Sequence, residues 1–275
     1  MRMDHHMQIA NSAFATRCNY LRGLKSLILH YEKLPEECTA DEVKAYLVHE
    51  RETCNLSSST INLRVCSLKY YYRHVAGRLD LVVKIPNPRI QKYDTEVLTS
   101  EELKKLFQCC RDMRQKLILT ALFDTGIRVR ELLRVRLSDF DKQHQSITIR
   151  NSKGKRTRLV YYGSRLRIVL KQYCKYLGYL PKGVLIESYK DPSKSLTLRG
   201  VQFIVKQTVK RSGLKKRIHP HTFRHSFAVH YLNCGGSIFS LQRLLGHQNI
   251  TTTLHYLKYA SLPEGKQISV LDEMP

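Results

Sequence analysis

The sequence predicts a mainly helical protein of two domains, with a small antiparallel β-sheet in the second domain. Apolar residues recur at helical spacing through most of the chain. A basic segment with two prolines interrupts this spacing just before residue 90. Two short runs rich in β-branched and aromatic residues flank a turn that contains Asn151 and Gly154. The 275 residues suffice for two domains, each with a core of its own.

The first domain is expected to span residues 1–88 and to be helical. Thr39 and Ser57 are typical helix N-caps, and the acidic residues that follow Thr39 favour the positive end of a helix dipole. The last helix of this domain places Ile61, Val65, Leu68 and Tyr72 on one apolar stripe. The predicted helices are Ala15–Tyr31, Ala40–His49 and 57–74.

A linker is expected at residues 89–97, and the second domain at residues 98–275. Thr99 resembles an N-cap with a capping box, and Gly126 is expected to end a helix. The predicted strands are Ser146–Arg150 and Arg158–Tyr162. The predicted helices begin after Thr99 and continue at Lys116–Phe123, Arg128–Arg134, Arg165–Leu177, Leu198–Arg211, Thr222–Asn233, Ser237–Leu245 and Thr252–Ala260.

The charge of the chain indicates a polyanionic partner. Lysine and arginine total 47 against 23 acidic residues, a net charge of +24. A hydrophobic content of 42% and sixteen tyrosines exclude a disordered basic tail. No apolar run is long enough to span a bilayer, residues 1–10 do not resemble a signal peptide, and the eight cysteines form no Cys-x-x-Cys pair. We therefore expect reduced thiols, a cytoplasmic location and a nucleic-acid partner rather than a membrane.

Three segments concentrate residues suited to phosphate chemistry. They are Thr125–Leu132 (TGIRVREL), His219–His225 (HPHTFRH) and Leu244–His247 (LLGH), and Tyr256 follows the last of them. Cleavage of a DNA phosphodiester without a metal needs a nucleophile, cations that neutralise the phosphate oxygens, and an acid for the leaving 5′ oxygen. Arginine grips phosphate with a planar fork, and tyrosine can act as a covalent nucleophile in a cationic pocket.

These motifs, in this order, resemble those of the tyrosine recombinases of the phage-integrase and Xer type. Thr125–Leu132 matches the pattern Thr-Gly-x-Arg-x-x-Glu-Leu, and His221–His225 matches His-x-x-Arg-His. Leu245–His247 matches Leu-Gly-His, and Thr252–Tyr256 matches Thr-Thr-x-x-Tyr. Ser58–Arg64 is similar to the last long helix of the family's N-terminal core-binding domain. The resemblance implies a two-domain C-shaped clamp around double-stranded DNA.

The resemblance also implies the roles of single residues. Arg128 and Arg224 correspond to the two phosphate-clamping arginines, and His221 and His247 to histidines that donate to the phosphate or move protons around it. Lys153 corresponds to the general acid, Tyr256 to the nucleophile, and Glu131 to a supporting acidic residue near the first arginine. The chemistry would then pass through a 3′-phosphotyrosine intermediate and need neither a metal ion, nor ATP, nor any other cofactor.

Other basic residues are expected to contact DNA, and the protomers to assemble on paired half-sites as a tetrameric synapse. The segment Ser261–Pro275 corresponds to the family's exchanged C-terminal segment, and DNA-bending proteins are possible accessory partners. The intact set of catalytic motif residues argues against a DNA-binding protein without catalysis. Residue content alone leaves open a type IB topoisomerase, which shares the chemistry but would not exchange DNA partners. The expected DNA contacts are Arg64, Lys69, Arg73, Lys155, Arg156, Lys206, Lys210 and Arg211.

Four side chains near the motifs have competing interpretations. Arg130 should face away from Arg128 on a helix, which favours a DNA-backbone or surface role. His221 and His225 could chelate a metal, but Thr222 stands where a metalloprotease has its catalytic glutamate, so His225 is interpreted as a capping or packing residue. Tyr259 lies three residues after Tyr256 and is interpreted as a packing residue of the same helix.

Overall fold

A computed structural model of the chain describes residues 2–89, 96–150 and 157–260. The chain divides into two compact units, Met1–Tyr93 and Asp94–Pro275, and the division falls inside the segment that the sequence marks as a linker. Lys153, Lys155, Arg156 and the segment 261–275 lie outside the described residues. No helix in the described ranges combines the length and the apolarity needed to cross a bilayer.

The first unit is a bundle of helices with one short 3₁₀ turn at Pro35–Glu37. Thr39 forms a capping box with Glu42, and the Ser57 hydroxyl accepts a hydrogen bond from the backbone N–H of Thr60. Both predicted N-caps are thus confirmed. The helices of this unit are α1 (Arg2–Ile9), α2 (Phe14–Tyr31), α3 (Ala40–Glu52), α4 (Ser58–His74) and α5 (Leu79–Lys84).

The core of the first unit forms where α2, α3 and α4 meet. The predicted stripe of α4 is buried, and Leu68 and Tyr72 are completely inaccessible to solvent. Met3 and Met7 of α1 complete this core. The sequence analysis missed α1 and α5 because each is a short helix that depends on packing against α4 rather than on its own periodicity.

The second unit contains eight helices in its described part, together with 3₁₀ turns at Leu137–Asp139 and His255–Tyr259. The prediction of a mainly helical fold with a small sheet is confirmed. The helices are α6 (Ser100–Gln108), α7 (Met113–Thr125), α8 (Val129–Leu132), α9 (Ser164–Leu177), α10 (Leu198–Ser212), α11 (Pro220–Asn233), α12 (Ile238–Leu245) and α13 (Thr251–Leu254).

The sheet has three antiparallel strands in the order β1 (Phe140–Asp141), β2 (Ser146–Ile149) and β3 (Arg158–Tyr161). Ile147 pairs with Val160, and both side chains are buried. The two longer strands are those predicted, whereas the two residues of β1 are too few to show a pattern of alternation.

Helix α7 lies at the centre of the second unit. Leu117, Ile118, Leu119 and Leu122 are fully buried, and α9 and α11 pack on either side of this helix. Gly126 ends α7 in the left-handed conformation and the chain turns directly into α8. A second apolar cluster joins α11 and α12 to the 3₁₀ turn that contains Tyr256. The core therefore fixes α8, α11, α12 and the tyrosine relative to one another.

The structure corrects the prediction for the last helix. The sequence analysis expects one helix from Thr252 to Ala260, but α13 ends at Leu254 and residues 255–259 form a 3₁₀ turn. In a 3₁₀ turn, side chains three residues apart lie on the same edge. Tyr256 and Tyr259 accordingly both contact the ring of His225, at centroid distances of 5.1 and 4.9 Å.

Replacement of Gly126 should destabilise the protein more than replacement of Gly178, which ends α9. Both have positive φ, 60° and 76°, so alanine at either position costs about 1 kcal/mol for the backbone. A Cβ at Gly126 would lie 2.3 Å from the Phe227 ring, whereas nothing lies within 4 Å of a Cβ at Gly178. We expect Gly126→Ala to lose about 1–3 kcal/mol more than Gly178→Ala, because the ring must move.

Urea unfolding followed by circular dichroism measures both losses. The double variant Gly126→Ala/Phe227→Ala separates the clash from the backbone cost, because it removes the ring that the new Cβ would meet. Equal losses for the two single variants would contradict the close contact with Phe227.

Candidate active site

An open cleft of about 730 Å³ in the second unit brings together most of the predicted catalytic residues. Arg128, His221, Arg224, His247 and Tyr256 all line it. They come from α8, α11, the turn after α12 and the final 3₁₀ turn, which are distant in sequence. The remaining lining residues are Arg130, Glu131, Arg134, Arg150, Gly246, Gln248, Asn249 and Thr252.

The end of α12 holds the cationic side chains of this site. The last carbonyls of a helix have no partner within the helix, and they carry the negative end of its dipole. The carbonyl of Leu245 accepts hydrogen bonds from Arg224 Nη2 at 2.7 Å and from Arg128 Nη1 at 3.4 Å. The carbonyl of Leu244 accepts one from Arg158 Nε at 2.8 Å. Three guanidinium groups therefore meet at one helix terminus.

Arg224 is the most deeply buried of these cations, with 1% of its surface exposed. Its Nη1 donates to the carbonyl of Gly126 at 2.7 Å, so it also ties α11 to the end of α7. Burial and the nearby charge of Arg128 lower the pKa of Arg224 to about 10, which still leaves it charged at neutral pH. Its Nε is buried and has no hydrogen-bond partner among the described residues.

The hydrogen bonds of His247 define its tautomer. Its Nε2 lies 3.0 Å from Arg224 Nη2, and guanidinium nitrogens only donate, so Nε2 accepts. Its Nδ1 therefore carries the proton and donates to the hydroxyl of Thr253 at 2.9 Å. Burial and the charge of Arg224 lower the pKa of His247 to about 4, which agrees with a neutral ring. Thr253 belongs to the Thr-Thr pair of the sequence motif. Its hydrogen bond to His247 gives a structural role to a threonine at this position.

Glu131 lies between two arginines. Arg158 donates to both of its carboxylate oxygens, at 2.9 and 2.8 Å, and Arg128 donates from Nη1 at 3.2 Å and from its backbone N–H at 2.8 Å. Burial alone would raise the pKa of Glu131, but the hydrogen bonds and charge of Arg158, followed by those of Arg128, lower it to about 2. The carboxylate is thus ionised and orients the partly exposed Arg128.

Sequence analysis missed Arg158. It begins β3, a strand that was predicted, but its side chain turns toward Glu131 and is only 11% exposed. Gly246 lies against it, since a Cβ there would come within 3.0 Å of Arg158 Cδ. An arginine at the first position of the strand, on the same face as buried Val160, was the available signal, because a charge on the inner side of a strand needs a buried partner.

Tyr256 is buried at the wall of the cleft, with 7% of its surface exposed. Its ring lies parallel to that of His247 at a centroid distance of 6.2 Å. Burial raises the pKa of the Tyr256 phenol, while the charges of Arg224 and Arg128 act in the opposite direction. His225 packs against Tyr256 as a neutral ring, and burial lowers its pKa to about 4. This position agrees with the interpretation of His225 as a packing residue.

His221 is the histidine at the mouth of the cleft. Its partial burial, together with the charge of Arg224, lowers its pKa. The described part of the chain contains no group of three His, Cys, Asp or Glu side chains able to hold a metal ion.

Arg130 lies on the cleft together with Arg128, contrary to the expectation that it would face elsewhere. That expectation treated both residues as part of one helix. Arg128 is instead the extended N-cap of α8, with φ −74° and ψ 145°, so helical spacing does not apply to the pair. Arg134 and Arg150 add further positive charge to the same cleft.

The residues predicted to contact DNA divide into exposed and internally bonded side chains. Arg73, Lys206 and Lys210 are exposed. Arg64 donates to Glu50 at 3.0 Å and Lys69 to Asn87 at 2.8 Å. Arg211 ties α10 to the carbonyl of Cys109 and to the side chains of Gln115 and Thr208, each at 2.9 Å.

Comparison with known proteins identifies the family. The model of the phage integrase family matches residues 96–261, and that of the phage integrase N-terminal SAM-like domain matches residues 1–79. The tyrosine recombinase XerA of Pyrococcus horikoshii is 31% identical over 220 residues, which cover 80% of this chain and 76% of XerA. XerC of Staphylococcus epidermidis is 31% identical over 216 residues, which cover 73% of this chain and 71% of XerC.

The fold is also found in solved structures. A lambda integrase dimer bound to a COC′ core site superimposes with a TM-score of 0.76 at 20% identity, covering 91% of this chain and 95% of that chain. The family models together span most of the sequence, and the site carries the motif residues of that family. The protein is thus an enzyme of DNA strand cleavage and rejoining. It belongs to the phage integrase family and is a site-specific tyrosine recombinase, as the sequence motifs predicted.

Glu131→Gln should lower the free energy of unfolding near pH 7 by about 3 kcal/mol, because it leaves the buried Arg158 without its charged partner. The folded pKa of Glu131, about 2, lies below the ordinary value of 4.5, so the carboxylate stabilises the fold above that ordinary value. This contribution is lost as the pH falls toward the folded pKa. The difference between wild type and variant should therefore shrink between about pH 5 and pH 2.

Urea unfolding at a series of pH values measures this difference. Asp41→Asn, which breaks the exposed ion pair with Lys44, is the control and should cause a several-fold smaller loss. A loss for Glu131→Gln that stayed constant from pH 7 to pH 3 would show that the charge of Glu131 does not stabilise the fold.

Proposed function

We propose that this recombinase cleaves one DNA strand at a time through a 3′-phosphotyrosine at Tyr256. The observation that carries the proposal is the convergence of Arg128, Arg224, His247 and Tyr256 on one basic cleft. All four belong to the motifs that the family resemblance singled out. The cleft combines a buried phenol with fixed cations, which is what metal-free attack on a phosphodiester requires.

Arg128 and Arg224 are proposed to clamp the scissile phosphate. Arg224 is held by two carbonyls, and Arg128 by Glu131 and Leu245, so neither needs to reorganise its charge during the reaction. Preorganised donors of this kind stabilise the extra negative charge of the transition state, and each is worth on the order of 10²–10³ in rate.

The proposed first step transfers the phosphoryl group to the tyrosine. The Tyr256 oxygen attacks phosphorus, the bond from phosphorus to the 5′ oxygen breaks, and the phenolic proton passes to a neutral histidine of the cleft. Lys153, which lies outside the described residues, is proposed to protonate the leaving 5′ oxygen. His221 and His247 are proposed to donate to the phosphate or to move protons around it. A 5′-hydroxyl of the partner strand reverses the step and frees Tyr256.

The proposed reaction needs no metal ion and no ATP. The cations of the cleft neutralise the phosphate in place of a metal, and the phosphotyrosine retains the energy of the phosphoester for rejoining. Tyr256 must lose its proton in a buried place that raises its pKa, so the charges of Arg128 and Arg224 also favour the attacking phenolate.

The proposed substrate is double-stranded DNA with paired half-sites, on which four protomers form the synapse. Exposed Arg73, Lys206 and Lys210 are proposed to contact phosphates directly. Arg64, Lys69 and Arg211 already donate to groups within the protein, so they are proposed to contact phosphates through their remaining N–H donors. Lys155 and Arg156 are proposed contacts from the turn that carries Lys153. We propose that the reaction takes place on DNA in the cytoplasm and that DNA-bending proteins are its accessory partners.

Tyr256→Phe should abolish the covalent protein–DNA adduct, whereas Tyr259→Phe should form it at the wild-type level. The probe is a nicked duplex carrying the recombination site, identified by sequencing genomic fragments that become covalently attached to the wild-type protein. The reaction is run in EDTA, because arginine rather than a metal supplies the positive charge. Adducts are counted by denaturing gel electrophoresis.

The matched variants separate the possible outcomes. DNA binding should persist in both, since loss of a phenolic oxygen leaves the basic surface unchanged. An adduct with Tyr256→Phe would show that the nucleophile is another residue. Loss of the wild-type adduct in EDTA, with recovery in Mg²⁺ or Mn²⁺, would contradict the arginine mechanism.

A further inference from the structure

Arg158 lies outside the motifs of the family resemblance and takes no direct part in the proposed chemistry. It is absent from the described residues that line the cleft, and its side chain is 11% exposed. Its three donor groups nevertheless have well-formed partners inside the protein. Nη1 and Nη2 bond to Glu131 at 2.9 and 2.8 Å, and Nε bonds to the carbonyl of Leu244 at 2.8 Å.

Each partner of Arg158 is hydrogen-bonded to a residue of the cleft or lies next to one in the chain. Glu131 accepts hydrogen bonds from the side chain and the backbone of Arg128. Leu244 is followed by Leu245, whose carbonyl accepts from Arg224, and then by the turn that carries His247. Arg158 also begins β3, which pairs with β2, and Lys153 lies between these two strands in the sequence. One side chain therefore connects α8, the end of α12 and the base of the hairpin.

We propose that Arg158 is a positioning residue of the recombination reaction, whose planar fork holds Glu131 and the end of α12 in the one arrangement in which Arg128 and His247 meet the scissile phosphate. The proposal rests on the roles proposed above for Arg128 and His247. Arg158 contacts neither the phosphate nor the nucleophile and acts only through its partners.

The charges around Glu131 explain why Arg158 is needed to position Arg128. With Arg158 present, Glu131 is already satisfied by two parallel bonds, so Arg128 remains partly exposed, at 40%, and available to DNA. Without Arg158, the buried carboxylate of Glu131 would have Arg128 as its remaining charged partner and would compete with the phosphate for it. Lysine could supply the charge but not three bonds in one plane. A shift of about 1 Å in a reacting group can cost about 10²-fold in rate.

The test compares Arg158→Met, Arg158→Lys and the double variant Arg158→Met/Glu131→Gln in the full chain. The control is Arg167→Met, which removes an exposed arginine of α9. The measurements are single-turnover cleavage of the same nicked duplex at saturating protein, DNA affinity, and urea unfolding. Cleavage by Arg158→Met should be about 10²-fold slower, and by Arg158→Lys about 10-fold slower or more, while DNA affinity changes by less than about threefold.

The double variant distinguishes positioning from a structural role. It removes the carboxylate that Arg158→Met leaves poorly paired, so it should regain stability relative to that single variant. Its cleavage should remain slow, because Arg128 and the end of α12 are still not held in place. Recovery of the cleavage rate together with stability would overturn the proposal, as would wild-type rates in Arg158→Lys. Absence of an adduct with the wild-type protein would instead overturn the proposed function, and this inference with it.

Discussion

The site depends on the C-terminal end of α12, where two carbonyls bind three arginines. The carbonyls of Leu244 and Leu245 would otherwise be unpaired acceptors at a helix end. Arg158, Arg224 and Arg128 satisfy them, and the negative end of the helix dipole offsets part of the repulsion between the guanidinium groups. The left-handed Gly246 then turns the chain so that His247 follows immediately.

The close approach of these arginines contributes to changed pKa values at several groups of the site. Glu131 is the buried acid among them and is held ionised, with its pKa lowered to about 2. Arg224 has its pKa lowered to about 10, and His247 is kept neutral. Burial is the main cause of the shifts at Arg224 and His247, and the charges of neighbouring arginines add to both. The fold of the second unit thus brings these arginines together at the cleft that is proposed to bind the phosphate, and Tyr256 lines the same cleft.

The sequence predicted what local patterns can specify. Most of the longer helices, the glycine stop at Gly126, the apolar stripe of α4 and the two longer strands followed from periodicity and capping. The convergence of Arg128, Arg224, His247 and Tyr256 came from motif order, because spacing alone cannot bring separate elements together. Arg158 and the cleft position of Arg130 were missed, since each depends on tertiary contacts. The 3₁₀ turn around Tyr256 was missed because its packing on His225 overrides the helical pattern.

The tautomer of His247 tests most directly whether the arginine site exists before DNA binds. Long-range ¹H–¹⁵N NMR of the free protein, with His247→Gln for assignment, reports the protonation of each ring nitrogen. We predict a neutral ring at pH 6, protonated at Nδ1 toward Thr253 and unprotonated at Nε2 toward Arg224. A ring protonated at Nε2, or a charged imidazolium at that pH, would contradict the arrangement of Arg224 on which the site depends.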